Sequence, residues 1–99
     1  MFNRPITITT SSINLTAVQG VRYVCGEMTS ITFTAPASGC VDLLFKSGST
    51  PTNLTISSAK SGVSAIKWAN GFDPANTEAN TIYEINILDG EYGVACKWT

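Results

Sequence analysis

Seven carboxylates, six basic side chains, three thiols and no histidine are the acid–base and nucleophilic material in this 99-residue chain. The missing histidine removes the commonest general base, and with it the Ser–His and Cys–His arrangements. The carboxylates Glu27, Asp42, Asp73, Glu78, Glu84, Asp89 and Glu91 show no spacing that identifies a pair for glycoside chemistry. Glu84 and Glu91 are expected to share a solvated strand face. Cys25, Cys40 and Cys96 each fall on the apolar parity of a strand, where a thiol acts as a small hydrophobe. Three reduced thiols are the expectation; one disulfide plus a free thiol is the alternative, and sequence does not choose the pair. Without histidine or a Cys-x-x-Cys spacing there is no zinc site. Asp73, Asn76 and Glu78 place three oxygen-bearing side chains within six residues, but match no EF-hand spacing, and Asp73 already fits as a helix cap. The glycines sit singly at turns, so no phosphate-cradling loop is present. The expectation is a non-enzymatic protein with no catalytic residue, metal or cofactor.

Binding chemistry is hardly richer. Arg4, Arg22, Lys46, Lys60, Lys67 and Lys97 are scattered, and net charge is −1, leaving no electrostatic footprint for nucleic acid or an anionic membrane. No apolar run is long enough to span a bilayer. The start, MFNRPITITT, lacks the apolar centre of a signal peptide, so no secretory address is expected. Trp68 and Phe72 flank Ala69-Asn70-Gly71, with Asp73 next in line. An exposed aromatic beside Asn and Asp is the makeup of a sugar-binding platform, so Trp68, Phe72 and Asp73 are the candidate ligand-binding residues. The competing reading is structural: Trp68 plugs one end of the core and Phe72 staples its loop down.

The elements that must position these side chains read as strands. Residues 6–10, 13–18, 21–25, 30–35, 40–46 and 53–57 alternate apolar and polar residues, and 65–68 is a short strand reached through Ser61-Gly62. Gly20, Gly26-Glu27, APASG and SGSTPT read as turns. Asp73 and Pro74 form a cap and first position for one helical turn over PANTEA. No helical periodicity lasts three turns, and no internal repeat is visible. About eight short strands with frequent turns predict an all-β fold: a small antiparallel β-sandwich of jelly-roll or other Greek-key type, one domain over 1–99 with 1–4 as an N-terminal arm.

The most explicit expectation concerns residues 81–98. Asp89-Gly90 is suited to a two-residue type I′ turn. That loop sets Leu88 opposite Glu91, Ile87 opposite Tyr92, Ile85 opposite Val94, Tyr83 opposite Cys96 and Thr81 opposite Trp98. Tyr83, Ile85, Ile87, Tyr92, Val94, Cys96 and Trp98 would then share the core face. Ile82, Leu88 and Ala95 would point outward, under partial cover from the N-terminal arm or a neighbouring subunit.

From Trp68 to the end, a Trp, the Gly71-Phe72-Asp73-Pro74 loop, a polar stretch, the strand Tyr83 to Ile87, Asp89-Gly90 and a last strand Val94 to Trp98 form a recognisable series. This third of the chain resembles β-rich structural proteins of tailed bacteriophages and prophages, of fibre, baseplate and capsid-decoration type. The resemblance implies a location in the virion after synthesis in the host cytoplasm, a symmetric homo-oligomer, often a trimer, and contact with other virion proteins. It brings no catalytic residues. Phage fibres usually add a long repetitive shaft, which this sequence lacks. Recognition of a host-surface glycan at a fibre tip is the alternative function.

Overall fold

Short corners between β-rich segments leave the chain two options: to reverse within one sheet, or to cross to another. The computed structural model, which describes residues 4–99, shows that it crosses. The strands are β1 (Arg4–Ile8), β2 (Ser12–Thr16), β3 (Val21–Met28), β4 (Ser30–Ala35), β5 (Cys40–Ser47), β6 (Asn53–Ser58), β7 (Lys67–Trp68), β8 (Ile82–Leu88) and β9 (Tyr92–Trp98). The first six alternate between a larger sheet, ordered β1-β3-β5-β8-β9-β7, and a three-stranded sheet, β2-β4-β6. Pairing along β1, β3 and β5 is parallel, and so is pairing along β2, β4 and β6. Each strand of one sheet is thus the crossover that parallel neighbours in the other require. The result is a stack of three coils, each of roughly twenty residues, a solenoid-like spacing.

This overturns the antiparallel jelly-roll or Greek-key sandwich. Among the described residues only β5–β8 and β8–β9 are antiparallel. Alternation and turn frequency are the same for either topology, and the corners decide. A single residue, Thr29, separates β3 from β4, too little for a hairpin within one sheet but enough for a bend into the other. The Gly26-Glu27 turn is also corrected: β3 runs on to Met28 through a register shift between Val24 and Glu27, a bulge rather than an end. Of the expected arm, residues 1–3 lie outside the described residues, and Arg4 begins β1. Pro5 sits on this edge strand, where a missing N–H does not interrupt a central ladder.

The core lies between the two sheets. Val21, Tyr23, Val41, Leu43, Phe45, Tyr83, Ile85 and Ile87 face it from the larger sheet, and Ile31, Phe33, Ala35 and Leu54 from the smaller. Parallel register stacks like on like, Ile13 on Ile31 on Leu54 and Leu15 on Phe33 on Ile56. Tyr23 meets Phe33 edge-on across the core, with ring centroids 5.9 Å apart. The hydroxyls of both core tyrosines accept backbone N–H groups five residues upstream, Tyr23 from Val18 at 2.9 Å and Tyr83 from Glu78 at 2.8 Å. These bonds tie the loops to the sheet and leave no buried phenol unpaired.

The hairpin β8–β9 closes the last coil, one residue out of the expected register. Leu88 pairs with Tyr92, Ile87 with Gly93, Ile85 with Ala95 and Ile82 with Trp98. The turn chemistry is as read: Asp89 and Gly90 both have positive φ, 54° and 60°, and Glu91 N–H donates to the Leu88 carbonyl at 3.0 Å. Glu91 is nevertheless an extra residue in the loop, held from outside. Its carbonyl accepts Lys67 N–H of β7 at 2.8 Å, and its carboxylate meets Lys60 Nζ at 3.0 Å and Lys67 Nζ at 3.8 Å. The Asp89 backbone and side chain also exchange bonds with Gly39, both at 2.8 Å. Gly90 approaches Pro36 and Ser58 so closely that a Cβ would lie 2.7 Å from the Pro36 carbonyl oxygen. With one residue inserted, every side chain of β9 changes face. Gly93 and Ala95 point inward, while Tyr92, Val94, Cys96 and Trp98 point outward.

Candidate functional site

Trp68 ends β7, and the loop from there to β8 carries the other two candidate binding residues, Phe72 and Asp73, over the inner face of the hairpin. Two single 3₁₀ turns, Ala69–Gly71 and Pro74–Asn76, shape it. Asp73 caps the second: its carboxylate accepts Ala75 N–H at 3.0 Å and the Asn76 amide at 2.6 Å. Trp68 pairs with Gly93 across β7–β9, and a Cβ at Gly93 would run into the six-membered ring of the indole. Phe72 meets Trp68 edge-on at 4.9 Å between centroids and lies 6.0 Å from Tyr83, which in turn stacks on Phe45 at 5.4 Å. An aromatic chain therefore runs from the loop into the core. It explains the inward Gly93: Trp68 fills the space that a larger β9 side chain would need.

Beside this chain is a cleft of about 410 Å³, lined by Asn70, Phe72, Asp73, Asn76, Glu78, Tyr83 and Lys97, among others. Phe72 and Asp73 border it, but Trp68 does not, so the three expected residues are neighbours in the chain without forming one surface. Glu78 and Lys97 close an ion pair at its rim. That pairing raises the Lys97 ammonium above its usual range. The Asp73 carboxylate is occupied by its own turn, which leaves Asn70, the second amide hydrogen of Asn76 and the exposed part of Phe72 to meet a ligand.

A pair of carboxylates that spacing did not reveal is assembled by the topology. Asp42 on β5 and Glu84 on β8 lie on the outer face of the larger sheet, where Arg22 of β3 reaches both, Nη1 standing 2.9 Å from Asp42 Oδ2 and 3.1 Å from Glu84 Oε2. Asp42 is fully buried, and neither of its oxygens receives a well-directed side-chain hydrogen bond. Burial first, and the adjacent Glu84 carboxyl second, push its pKa up to about 6 against the pull of Arg22. A carboxyl with a raised pKa beside a second one is the makeup of a general acid. Here Asp42 is buried against the Arg22 side chain while Glu84 stays partly exposed, and the cleft residues include neither carboxylate. Among the described residues no group of three His, Cys, Asp or Glu could hold a metal ion.

The thiols are unpaired and differ in setting: Cys25 buried, Cys40 half-buried and Cys96 exposed. Burial pushes the Cys25 thiol up to about 11, away from nucleophilic reactivity at neutral pH. The expectation that all three are buried fails at Cys96 through the β9 register.

On the outer face of β8–β9, sequence reasoning placed Ile82 and Leu88 and missed Tyr92, Val94 and Trp98. Ile82, Leu88, Tyr92, Val94 and Trp98 each expose between 39% and 53% of their surface. They form cross-strand rows, Ile82–Trp98 at the open end of the hairpin and Leu88–Tyr92 at the turn, with Glu84–Cys96 and Asn86–Val94 between. At roughly 200 Å² per large apolar residue this is about 500 Å² of exposed surface, a size associated with interaction sites on monomers. Comparison of the chain with protein-family models, with curated proteins and with solved structures finds no match in any of the three.

Proposed function

We propose that this chain is a non-enzymatic structural subunit that acts by protein–protein assembly. The observation that carries this reading is the row of five exposed apolar side chains on the outer face of β8–β9, on an otherwise well-packed sheet. The setting proposed is a tailed-phage particle, as a capsid-decoration or head-fibre subunit or as a tail-fibre or baseplate component; that part rests on the resemblance of residues 68–98. Quantitative mass spectrometry of purified particles from a strain carrying the gene tests it. The expected result is the chain at a copy number matching the symmetry of capsid or tail; particles free of the chain refute it.

A second reading, recognition of a neutral glycan, is favoured by the cleft beside Phe72 with its Asn70 and Asn76 amides. Titration with glycan mixtures, read by chemical-shift change at Asn70 and Asn76 and abolished in Phe72→Ala, is its test.

A further inference from the structure

We propose that the outer face of β8–β9 is the contact between two copies of this chain, packed sheet against sheet about a two-fold axis. This deepens the assembly reading and rests on it.

Two observations point to a second copy. The first is charge. Arg22 meets Asp42 and Glu84 beside the face, and Lys60 and Lys67 meet Glu91 at its turn end, three cations against three carboxylates. Such a face offers little to a strongly charged partner, and nothing to repel an identical one. The second is shape. The rows at the two ends carry the large pairs, Leu88–Tyr92 and Ile82–Trp98, and the middle rows carry the smaller Val94 and Cys96. A two-fold axis lying in the plane of the face and across the strands sets the turn end of one copy against the open end of the other. Large groups then meet large ones at both ends, and the middle rows meet each other. Two such faces bury about 1,000 Å² in total, the threshold for a specific interface, and an isologous contact of this kind closes at two.

The test uses the full chain in reducing buffer. Sedimentation equilibrium across 1–500 µM is expected to show a dimer, with Val94→Lys raising the dissociation constant about 100-fold or more. Val94 is an outward residue, and circular dichroism checks that the variant is folded; Tyr92→Glu serves as a second variant. Cys96 reports the geometry. In a Cys40→Ser background, where Cys25 is buried, a short bismaleimide is expected to join two copies covalently through Cys96, and not after Val94→Lys. A monomer up to 500 µM, a trimer, or a dimer that Val94→Lys leaves intact and the reagent does not link, each overturns the inference. None of these decides whether the chain is present in particles, so the assembly reading stands or falls separately.

Discussion

Asp42 makes this protein's stability fall as pH rises through the weakly acidic range. Its carboxyl is fully buried, and its pKa moves from an ordinary 3.8 to about 6 in the fold. Because the folded-state value is raised, the folded chain holds a proton that the unfolded chain has already released. The stabilising contribution is complete below about pH 4 and is lost as pH passes through about 6. Two pKa units correspond to at most about 3 kcal/mol, a substantial share of the stability of a small domain. Glu91 works in the opposite sense: its pairing with Lys60 lowers its pKa, so its contribution is lost as pH falls through the lowered value, below the ordinary carboxylate range. The descending limb should therefore stand alone between about pH 4.5 and 6.5. Asp42→Asn removes the ionisation and keeps an oxygen that can accept from Arg22, which still has Glu84. We expect the variant to be about 1–2 kcal/mol more stable than the parent at pH 7, with a flat profile across the window. Urea midpoints in half-unit pH steps, at one fixed protein concentration, measure both. A parent midpoint that stays constant or rises from pH 4.5 to 6.5, or a destabilised Asp42→Asn at pH 7, refutes the reasoning.

Further predictions concern the loop and the core. Gly93→Ala drives a methyl into the Trp68 ring, and we expect a loss of about 1–3 kcal/mol with a red-shifted, more quenchable Trp68 emission in a Trp98→Phe background. Phe33→Ala empties the centre of the smaller sheet and should cost about 3–5 kcal/mol, read by thermal denaturation followed with circular dichroism. Cys25 should stay unreactive to a thiol reagent at pH 7.5 until the chain unfolds, in line with its raised pKa; modification at the rate of a free thiol would show that the core opens locally. Deleting Glu91 leaves Leu88 opposite Tyr92 across a two-residue Asp89-Gly90 loop, so β9 should keep its faces while the Lys60 and Lys67 contacts are lost; a Cys96 thiol that becomes protected from a thiol reagent in the folded variant would show that Glu91 itself sets which face is outward.

Strand positions were largely legible because inward parity is local: Val21 and Tyr23, Ile31 and Phe33, Val41, Leu43 and Phe45 alternate within single strands and are buried accordingly. The helical turn begun by Asp73 and Pro74 was legible for the same reason. Topology was not, because nothing in ITITT or SITFTA states whether the next strand joins the same sheet or the opposite one. The coil repeat stayed hidden because stacked positions share only apolar character, as in Ile13, Ile31 and Leu54, and corners differ in length. The hairpin register failed for a reason outside the hairpin. Asp89-Gly90 does adopt its expected angles, but Lys60 and Lys67 capture Glu91, and Trp68 occupies the space over Gly93. These partners lie about twenty to thirty residues upstream. The candidate site suffered in proportion: Phe72 and Asp73 reach the cleft, Trp68 is spent on packing, and Tyr92, Val94 and Trp98, assigned to the core, join the outward Ile82 and Leu88 on the apolar face.

The two ends of the coil stack are not equivalent. Strands β8, β9 and β7 extend the larger sheet past β5, and the second 3₁₀ turn lies against β6, whereas β1 and β2 have no described strand beyond them. Each coil touches only its neighbours, so the stack has a direction of growth. A duplicated coil spliced ahead of Arg4 would find matching parallel edges on both sheets, while one inserted after β6 would have to displace the hairpin. Length in this architecture is a quantity that can be changed by whole coils at one end, leaving the hairpin surface untouched at the other.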